Sequence, residues 1–573
     1  MNTSTSPITE RETHPASRLS AVRRLYFYLV ALISFIAALA GFDSLVQQLT
    51  NAWLSSAIGE AVYDAAYMRQ AMARSGGLLL VATPIFLLHW GYMHRRRHEP
   101  GERGAGMRKF FLYASSGVAI FYILTNGQRF LSAVTRLALG EPAADSAIWP
   151  SEWLYLLIMI TASLALQMYF HAVLVGDGDY GHERGAAGTW RRLYQALAGL
   201  VGLALIIQGT ADIIASGWRA LTEMSVDALA TAAGWWRYDL GSGVAMTLMG
   251  AVLARVNWRR WLRITAASPV EGVTVLRRLY LYVAVVISAL ATLIPAAALL
   301  REILLVSFGS PSATWTNVLD TLRDSLPYVP AGLASWVWHW RVLHREAAAY
   351  GESAEGATVR RLYYYAVAAT GLALLWFGAV NVLQAGLDRL FVAAQESRFW
   401  IEPLATGLSL LAVGAPIWSL HWQTVQTQAR RTDTPGAQER ASLPRRIYLY
   451  GVALTGALLI LFYLAQVVYR LLLMLLGDPD AGLLSASTVA DIARSAIAAL
   501  LWAVHLLAIR GDTRMAGLEP APLPVADQRA ALQHRIEHLE TELASAKAAL
   551  AALEEAQEVA TPNNGIDLTR RSN

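Results

Sequence analysis

Cysteine is absent from this chain of 573 residues, and charged residues are scarce. Without a thiol the protein has no disulfide, no cysteine nucleophile and no cysteine-ligated metal. Charged residues make up 16% of the sequence, whereas soluble domains usually contain about 25%. Hydrophobic residues make up 55%, and the mean hydropathy is +0.38. This composition indicates an integral membrane protein.

Sequence motifs of catalysis are missing as well. The chain has no phosphate-binding P-loop, no HExxH zinc pair, no Gly-x-Ser-x-Gly elbow and no EF-hand spacing. The segments between the apolar runs are too short to form a soluble catalytic domain. We therefore expect no enzymatic activity, no cofactor and no metal. The net charge is +5, and the basic residues lie beside apolar runs and not in a basic patch with interleaved aromatics. We therefore expect no nucleic-acid binding.

A short basic and aromatic motif recurs six times along the chain. The copies are Arg23-Arg24-Leu25-Tyr26, Arg108-Lys109-Phe110-Phe111, Arg191-Arg192-Leu193-Tyr194, Arg277-Arg278-Leu279-Tyr280, Arg360-Arg361-Leu362-Tyr363 and Arg445-Arg446-Ile447-Tyr448. Their first residues are 85, 83, 86, 83 and 85 positions apart. A second landmark closes each copy, namely His89-Trp90, His171, Asn257-Trp258, His339-Trp340, His421-Trp422 and His505. The chain is therefore built of six tandem units.

Each unit contains two apolar segments, and each segment is long enough to cross a membrane. A helix needs about 20 residues to cross roughly 30 Å of hydrocarbon, and apolar runs in lipid must be helical to satisfy their backbone groups. The predicted spans are residues 25–48, 77–94, 110–138, 153–175, 193–220, 239–258, 279–307, 326–344, 362–392, 400–423, 447–476 and 487–508. The predicted fold is an all-α membrane protein of six two-helix transmembrane hairpins, with about twelve spans.

The first helix of each unit is longer than a membrane requires. Polar residues such as Asp43, Asp212 and Asn381 appear about 20 residues after the basic pair, yet helix-forming residues continue beyond them. The extra turns either protrude from the membrane or bend into its outer interface. The residues leave both alternatives open.

The distribution of arginine predicts the orientation. Short loops on the cytoplasmic side are enriched in Lys and Arg. The linkers between units carry such clusters, for example Arg95 to Arg97, whereas the loops inside hairpins are neutral or acidic, as at Glu141, Asp145, Asp478 and Asp480. We therefore expect a multi-pass protein of the inner (cytoplasmic) membrane with both termini in the cytoplasm.

The C-terminal segment has the pattern of a coiled coil. Its apolar residues are spaced alternately four and three apart, as the a and d positions of a heptad require. They are Leu532, Ile536, Leu539, Leu543, Ala546, Leu550 and Leu553. The segment either associates with a second copy or a helical partner, or docks as a single amphipathic helix on the membrane domain.

The complete division of the chain follows from these patterns. We predict a disordered N-terminus over 1–22, hairpins over 23–107, 108–190, 191–276, 277–359, 360–444 and 445–510, a Pro-rich linker over 511–525, a coiled coil over 526–558 and a disordered tail over 559–573. Ala38-Leu39-Ala40 imitates a signal-peptidase site. Because the same kind of segment recurs five more times, we expect this first segment to be retained as a span.

The repeated unit resembles a bacterial membrane family known as domain of unknown function 5671. The resemblance rests on the Arg-Arg-Leu-Tyr entry, the long apolar helix and the closing His-Trp, and it covers most of residues 23–510 in six copies. Copy two lacks the Trp after His171, and copy three has Asn257 in place of His. The resemblance implies a membrane hairpin and no known activity.

The repeated basic and aromatic residues are the candidate functional positions. Paired arginines at a membrane boundary either anchor the topology or bind anionic lipid headgroups. The closing His and Trp residues are typical of an interfacial belt, in which side chains lie at the level of the lipid headgroups and their polar tips contact water. They are less typical of haem or metal ligands. The candidate lipid-contact or interfacial residues are Arg23, Arg24, Arg191, Arg192, Arg277, Arg278, Arg360, Arg361, Arg445, Arg446, His89, Trp90, His171, His339, Trp340, His421, Trp422 and His505.

Two functions fit these observations. No series of carboxylates lies deep in the spans, and the tail is suited to association, so the first hypothesis is a non-enzymatic membrane scaffold or partner-binding protein. The alternative is a transporter or channel, for which Asn381, Gln384 and Gln466 could line a polar path. A polar cavity through the bundle would favour transport.

Overall fold

The computed structural model describes residues 15–58, 65–140, 150–223, 235–392, 398–477, 485–518 and 525–560. These residues form helices joined by short turns, and they include no β-strand. The α-helices are α1 (Pro15–Ile58), α2 (Ala65–Arg95), α3 (Gly106–Ala138), α4 (Pro150–Gly176), α5 (Gly185–Glu223), α6 (Trp235–Ala267), α7 (Val275–Ser307), α8 (Trp315–Asp324), α9 (Tyr328–Tyr350), α10 (Ala354–Leu387), α11 (Ile401–Ala429), α12 (Thr434–Ala441), α13 (Leu443–Leu475), α14 (Ala486–Leu518) and α15 (Val525–Ala560). The all-helical prediction is confirmed for the described residues.

Twelve long helices pack as six consecutive pairs. The pairs are α1 with α2, α3 with α4, α5 with α6, α7 with α9, α10 with α11 and α13 with α14. Each predicted span falls on a helix of its own. Within the described chain, eleven helices are long and apolar enough to cross a membrane. The twelfth, α9, falls short because Trp336, Trp338, His339, Trp340, Arg341 and His344 lower its mean hydropathy.

Consecutive pairs pack against each other, and the first helix of each pair contacts both helices of the next pair. Helix α1 packs against both α3 and α4, α5 packs against α7 and α9, and α10 packs against α13 and α14. Helix α3 also packs against α5 and α6, and α7 packs against α10 and α11. The same arrangement therefore recurs from each pair to the next. Buried side-chain contacts at one end of the bundle recur only in every second pair, as described below, and we call the four long helices that share one such set of contacts a four-helix unit.

Several boundaries differ from the sequence prediction. The N-terminus was expected to be disordered through residue 22, but α1 begins at Pro15, where a proline is tolerated in the first turn of a helix. The short helices α8 and α12 were not predicted. Helix α8 begins at a capping box formed by Thr314 and Asn317. Residues 1–14, 519–524 and 561–573 and the acidic loop positions 141, 145, 478 and 480 lie outside the described residues.

Small residues bring paired helices into backbone contact. A methyl group on Gly209 of α5 would lie 2.6 Å from the carbonyl oxygen of Gly243 in α6. A methyl group on Gly378 of α10 would lie 3.0 Å from the carbonyl oxygen of Gly407 in α11. Contacts of this kind are typical of helices packed within a membrane. At these glycines the two helices of each pair leave no room for a solute to pass between them.

The longest helices continue without interruption past the length of a membrane. Helix α1 has 44 residues and α5 has 39, which correspond to roughly 66 and 58 Å at 1.5 Å per residue. Helix α10 instead ends in a π-helical turn at Asp388–Val392. The extra turns of α1 and α5 therefore continue the same helix without a break, which favours protrusion for these two.

Candidate functional site

Three buried arginines mark one end of the bundle. They are Arg108, Arg277 and Arg445, each the first residue of a motif copy, with exposures of 0%, 2% and 0%. Each guanidinium forms a bidentate pair with a carboxylate near the end of the second helix of its own pair. The pairs are Arg108–Asp177, Arg277–Glu346 and Arg445–Asp512, with distances from Nε to the carboxylate oxygen of 3.0, 2.8 and 2.6 Å. The charges are buried but compensated.

A tryptophan from the preceding helix pair covers each of these guanidiniums. The guanidinium carbon of Arg108 lies 5.4 Å from the ring centre of Trp90, that of Arg277 5.6 Å from Trp258, and that of Arg445 5.8 Å from Trp422. These distances fit cation–π contacts. We call each set of tryptophan, arginine and carboxylate an arginine cluster. Each cluster joins the two helix pairs of one four-helix unit.

A second carboxylate ties each linker to the entry of the unit. Glu102, Glu271 and Glu439 lie in the linkers between the two pairs of a unit, and all three are buried. Each of them accepts a hydrogen bond from the second arginine of the first motif copy in its own four-helix unit. The contacts are Arg24–Glu102, Arg192–Glu271 and Arg361–Glu439, with Nε to oxygen distances of 2.8, 2.9 and 2.7 Å. The linkers are thereby held against the bundle.

The middle unit departs from the other two at one position. Tyr28 donates to Glu102 at 2.8 Å and Tyr365 donates to Glu439 at 2.7 Å. The corresponding residue of the middle unit, four positions after its second arginine, is Ala196. There Arg191 takes the place of the tyrosine and donates to Glu271 at 2.8 Å.

A larger side chain compensates for Ala196. Trp261 is 2% exposed and belongs to the same buried cluster as Ala196. In the first unit the corresponding cluster combines Tyr28 with Met93, and in the third it combines Tyr365 with Val425. The guanidinium carbon of Arg277 also lies 4.8 Å from the ring centre of Trp261. In the first unit the larger residue, Tyr28, lies on the first helix of the pair. In the middle unit that position holds the small Ala196, and the large Trp261 lies on the second helix instead.

The linker carboxylate of the middle unit lies at the bundle end, in the short turn at Pro269–Val273. Burial by itself raises the pKa of Glu271, but the guanidiniums of Arg192 and Arg191 outweigh it and hold the pKa below its ordinary value. Glu271 is therefore ionised at neutral pH, and the two arginines neutralise its charge.

The remaining arginines of the motif differ in their surroundings. Arg278 is 3% exposed and donates to the carbonyl oxygens of Leu343 and Gly351 at 3.3 and 3.0 Å. Arg360 donates to Glu352 at 3.0 Å, and Arg23 lies 3.6 Å from Glu99. Arg191 is 1% exposed and lies 3.0 Å from Glu183. Arg446 is exposed.

This placement limits which arginines can contact lipid. The side chains of Arg191, Arg277, Arg278 and Arg445 are buried in protein contacts, so for these four the burial favours topology anchoring over the headgroup alternative. Their charges are already neutralised or bonded to carbonyl oxygens, and the surrounding helices cover them. For Arg23, Arg24, Arg192, Arg360, Arg361 and Arg446 the lipid contact stays a prediction.

In three of the helix pairs, the closing histidine bonds to the entry tyrosine of the same pair. Nε2 of His505 lies 3.1 Å from the hydroxyl of Tyr448, and Nε2 of His339 lies 3.4 Å from that of Tyr280. The Nδ1 of His505 lies 2.7 Å from the carbonyl oxygen of Leu501. Because a carbonyl only accepts, Nδ1 carries the proton and Nε2 accepts from the tyrosine. The two landmarks of one motif copy are thus in direct contact.

The expectation of wet histidine tips is wrong for two positions. His339 and His505 are 4% and 0% exposed, because the tyrosine and the backbone already satisfy both ring nitrogens. His89, His171 and His421 are partly buried, and Nε2 of His421 lies 3.5 Å from the hydroxyl of Tyr363. Trp90 and Trp422 are buried, whereas Trp340 is partly buried beside His344. Among the described residues, no three His, Asp or Glu side chains are grouped to hold a metal ion.

Several polar residues at the opposite end of the bundle are paired, although one carboxylate oxygen of the buried Asp388 has no hydrogen-bond partner among the described residues. Tyr155 donates to Asp43 at 2.6 Å, and Arg301 donates to Thr406 at 3.1 Å. Crevices with an apolar lining lie between helix pairs. One of 560 Å³ between α10, α13 and α14 is lined by residues such as Trp376, Leu459 and Trp502. Asn381, Gln384 and Gln466 do not line this crevice.

Helix α15 presents its apolar seam to solvent. The six Leu and Ile residues of the seam are between 49% and 67% exposed. No described element of the bundle forms an extended contact with α15. The docked-helix alternative therefore finds no support in the described residues.

Comparison with known proteins agrees with the four-helix unit. The family model described as domain of unknown function (DUF5671) matches residues 11–167, 192–328 and 361–504. Each match reaches across two copies of the sequence motif, so the family unit occurs three times and not six. No curated protein and no solved structure matches the chain.

Proposed function

Because the chain belongs to the family of domain of unknown function 5671, whose name states no activity, we propose a function from the residues themselves. The protein is a non-enzymatic scaffold of the inner membrane, and its bundle holds α15 in the cytoplasm for association with another helix. The observation that carries this proposal is the exposed seam of α15. An apolar stripe of seven positions, on a helix that makes no extended contact with the described bundle, needs a partner.

The membrane setting of the proposal is supported by the surface of the bundle. Eleven described helices are long and apolar enough to cross a membrane, and large apolar side chains such as Leu80, Leu461 and Leu475 are 76%, 68% and 80% exposed. A surface of this kind is stable in lipid and not in water. The arginine clusters lie at the end predicted to face the cytoplasm, and α9 supplies the twelfth crossing as the partner of α7.

The packing of the bundle gives transport less support. Backbone contact at Gly209 and Gly378 closes the space within two helix pairs, and charged residues such as Asp43 and Arg470 are engaged in pairs. Ionisable groups along a transport path usually face a water-filled cavity. A bundle in which many polar residues are paired at its two ends is better suited to a structural role.

The size of the intact protein in lipid nanodiscs or detergent tests the proposal. We expect an oligomer, and we expect Leu539→Asp with Leu543→Asp to reduce it to a smaller species, because unpaired charges in the seam are costly to bury. Thr541→Asp is the matched control, since residue 541 lies on the opposite face of α15. A protein that is monomeric before the change, or whose size does not respond to it, would contradict the proposal.

A further inference from the structure

The charges beside the α15 seam form a regular set. If Ile536, Leu543 and Leu550 occupy a positions, then Leu532, Leu539, Ala546 and Leu553 occupy d positions. The flanking g positions then hold Arg535 and Glu542, and the flanking e positions hold Glu540 and Lys547. All four of these charged side chains are exposed. They are therefore free to determine the partner and its direction.

A parallel, in-register pair of α15 helices satisfies these charges completely. In that arrangement a g residue faces the e residue five positions later on the partner helix. Arg535 then faces Glu540 of the second copy, and Glu542 faces Lys547 of the second copy. Twofold symmetry repeats both contacts. Four attractive pairs flank the seam, and no like charges meet.

An antiparallel pair cannot satisfy the same charges together. It brings g opposite g and e opposite e, so the attractive combinations become Arg535 with Glu542 and Glu540 with Lys547. If Arg535 faces Glu542, the midpoint of the antiparallel pair falls between residues 538 and 539. If Glu540 faces Lys547, the midpoint falls between residues 543 and 544. One helix pair has a single midpoint, so the two combinations exclude each other. The antiparallel arrangement therefore loses half of the attractive contacts in either register.

The position of α15 in the chain favours the same direction. Helix α14 ends at Leu518 and α15 begins at Val525, so six residues connect them, with a reach of roughly 25 Å. Two copies in one membrane have their α14 ends at the same face. A parallel pair brings the two α15 starts together beside those ends, whereas an antiparallel pair separates them by most of the length of the helix.

We propose that α15 pairs with α15 of a second copy of this chain in a parallel, in-register coiled coil. This inference rests on the proposed scaffold function and adds the partner and its direction to it. The parallel pair places both membrane bundles on the same side of the coiled coil. The protein then assembles side by side within one membrane and does not bridge two membranes.

The absence of cysteine makes a direct test possible, because a single introduced cysteine can form a disulfide only with a second copy. Leu532→Cys and Leu553→Cys are made separately in the full chain, reconstituted in lipid vesicles and oxidised. In a parallel pair each residue faces itself at a distance that suits a disulfide. In an antiparallel pair the two like residues are roughly 30 Å apart for at least one of the variants.

We expect both variants to form covalent dimers, roughly tenfold more than the control Thr541→Cys on the outer face, whose sulfurs lie outside disulfide range. Ala546→Cys gives the same readout without removing a leucine from the seam, and so covers the case in which the other variants weaken pairing. A mixture of the two variants in which L532C chains link only to L553C chains would overturn the parallel direction. If that cross-linking pattern is found while L539D with L543D still dissociates the oligomer, the parallel direction is wrong but the scaffold proposal stands.

Charge exchange gives an independent test. Arg535→Glu places two like charges together in the parallel pair, and so does Glu540→Arg, so each should reduce disulfide formation through Ala546→Cys several-fold. The combined variant R535E with E540R restores the attraction and should restore the yield. Failure of the combined variant to recover, while the oligomer itself persists, would contradict the predicted contacts and leave self-association intact.

Discussion

The hydroxyl of Tyr448 lies 3.1 Å from Nε2 of His505, so the residue that opens the sixth motif copy contacts the residue that closes it. Both side chains are buried. The same contact joins Tyr280 to His339 and Tyr363 to His421. In the fourth, fifth and sixth helix pairs, the recurring motif therefore links the two helices at the arginine end.

Loss of this contact should destabilise the sixth helix pair. Tyr448→Phe leaves Nε2 of His505 without a donor, and we expect a cost of about 0.6–1.7 kcal/mol, the range for hydrogen bonds between membrane helices. The measurement is thermal unfolding of the purified protein in detergent. Tyr450→Phe is the control because Tyr450 is 58% exposed. Equal stability of the two variants would contradict a role for the contact.

The arginine clusters should respond strongly to loss of one charge. Glu346→Gln leaves the guanidinium of Arg277 buried without its ionic partner, and we expect a cost of about 3–5 kcal/mol. Replacing both residues, as R277L with E346L, should recover part of this loss because no unpaired charge remains. The control is Asp433→Asn, which removes an exposed ion pair with Arg431 and should leave thermal unfolding unchanged. A small effect of E346Q would show that the cluster is not closed to water.

The exchange between Ala196 and Trp261 predicts a compensating pair of mutations. Ala196→Tyr overfills a space that Trp261 already occupies, and Trp261→Met leaves a cavity, so each should cost about 1–3 kcal/mol. The double variant reproduces the Tyr and Met of the first unit and should be more stable than the sum of the single changes by at least roughly 1 kcal/mol. Additive losses in thermal unfolding would show that the two residues do not share one space.

Glu271 should make stability depend on pH in the acid range. Its pKa is held below the ordinary value by Arg192 and Arg191, against the opposing effect of burial, so the folded state binds its proton less readily than the unfolded state. The stabilisation is complete above the ordinary glutamate pKa and is lost as pH falls through the lowered value. The stability advantage over Glu271→Gln should therefore shrink as the pH falls below the ordinary glutamate pKa of about 4.3. Exposed Glu355, changed to Gln, is the control, and an advantage that stays constant as the pH falls would contradict the assignment.

Much of the fold could be predicted from sequence, because apolar length and a repeated motif determine helices directly. The carboxylates of the arginine clusters were missed, although their spacing carried a signal. In the three four-helix units, the second arginine of the first motif copy precedes the linker carboxylate by 78, 79 and 78 residues. The first arginine of the second motif copy precedes the carboxylate of its arginine cluster by 69, 69 and 67 residues. The alternating motif spacings also pointed to a unit of two pairs. The exchange of Ala196 with Trp261 could not be predicted, since it depends on which side chains meet in space.

The side of the membrane at each end of the helices tests the account most directly. Gly101 lies in the linker after α2, and Gly477 follows α13 at the opposite end of the bundle. Reporter domains fused at these two positions should report opposite compartments, with Gly101 in the cytoplasm, because arginine-rich linkers remain on that side. The same compartment at both positions would contradict the arrangement of six transmembrane hairpins.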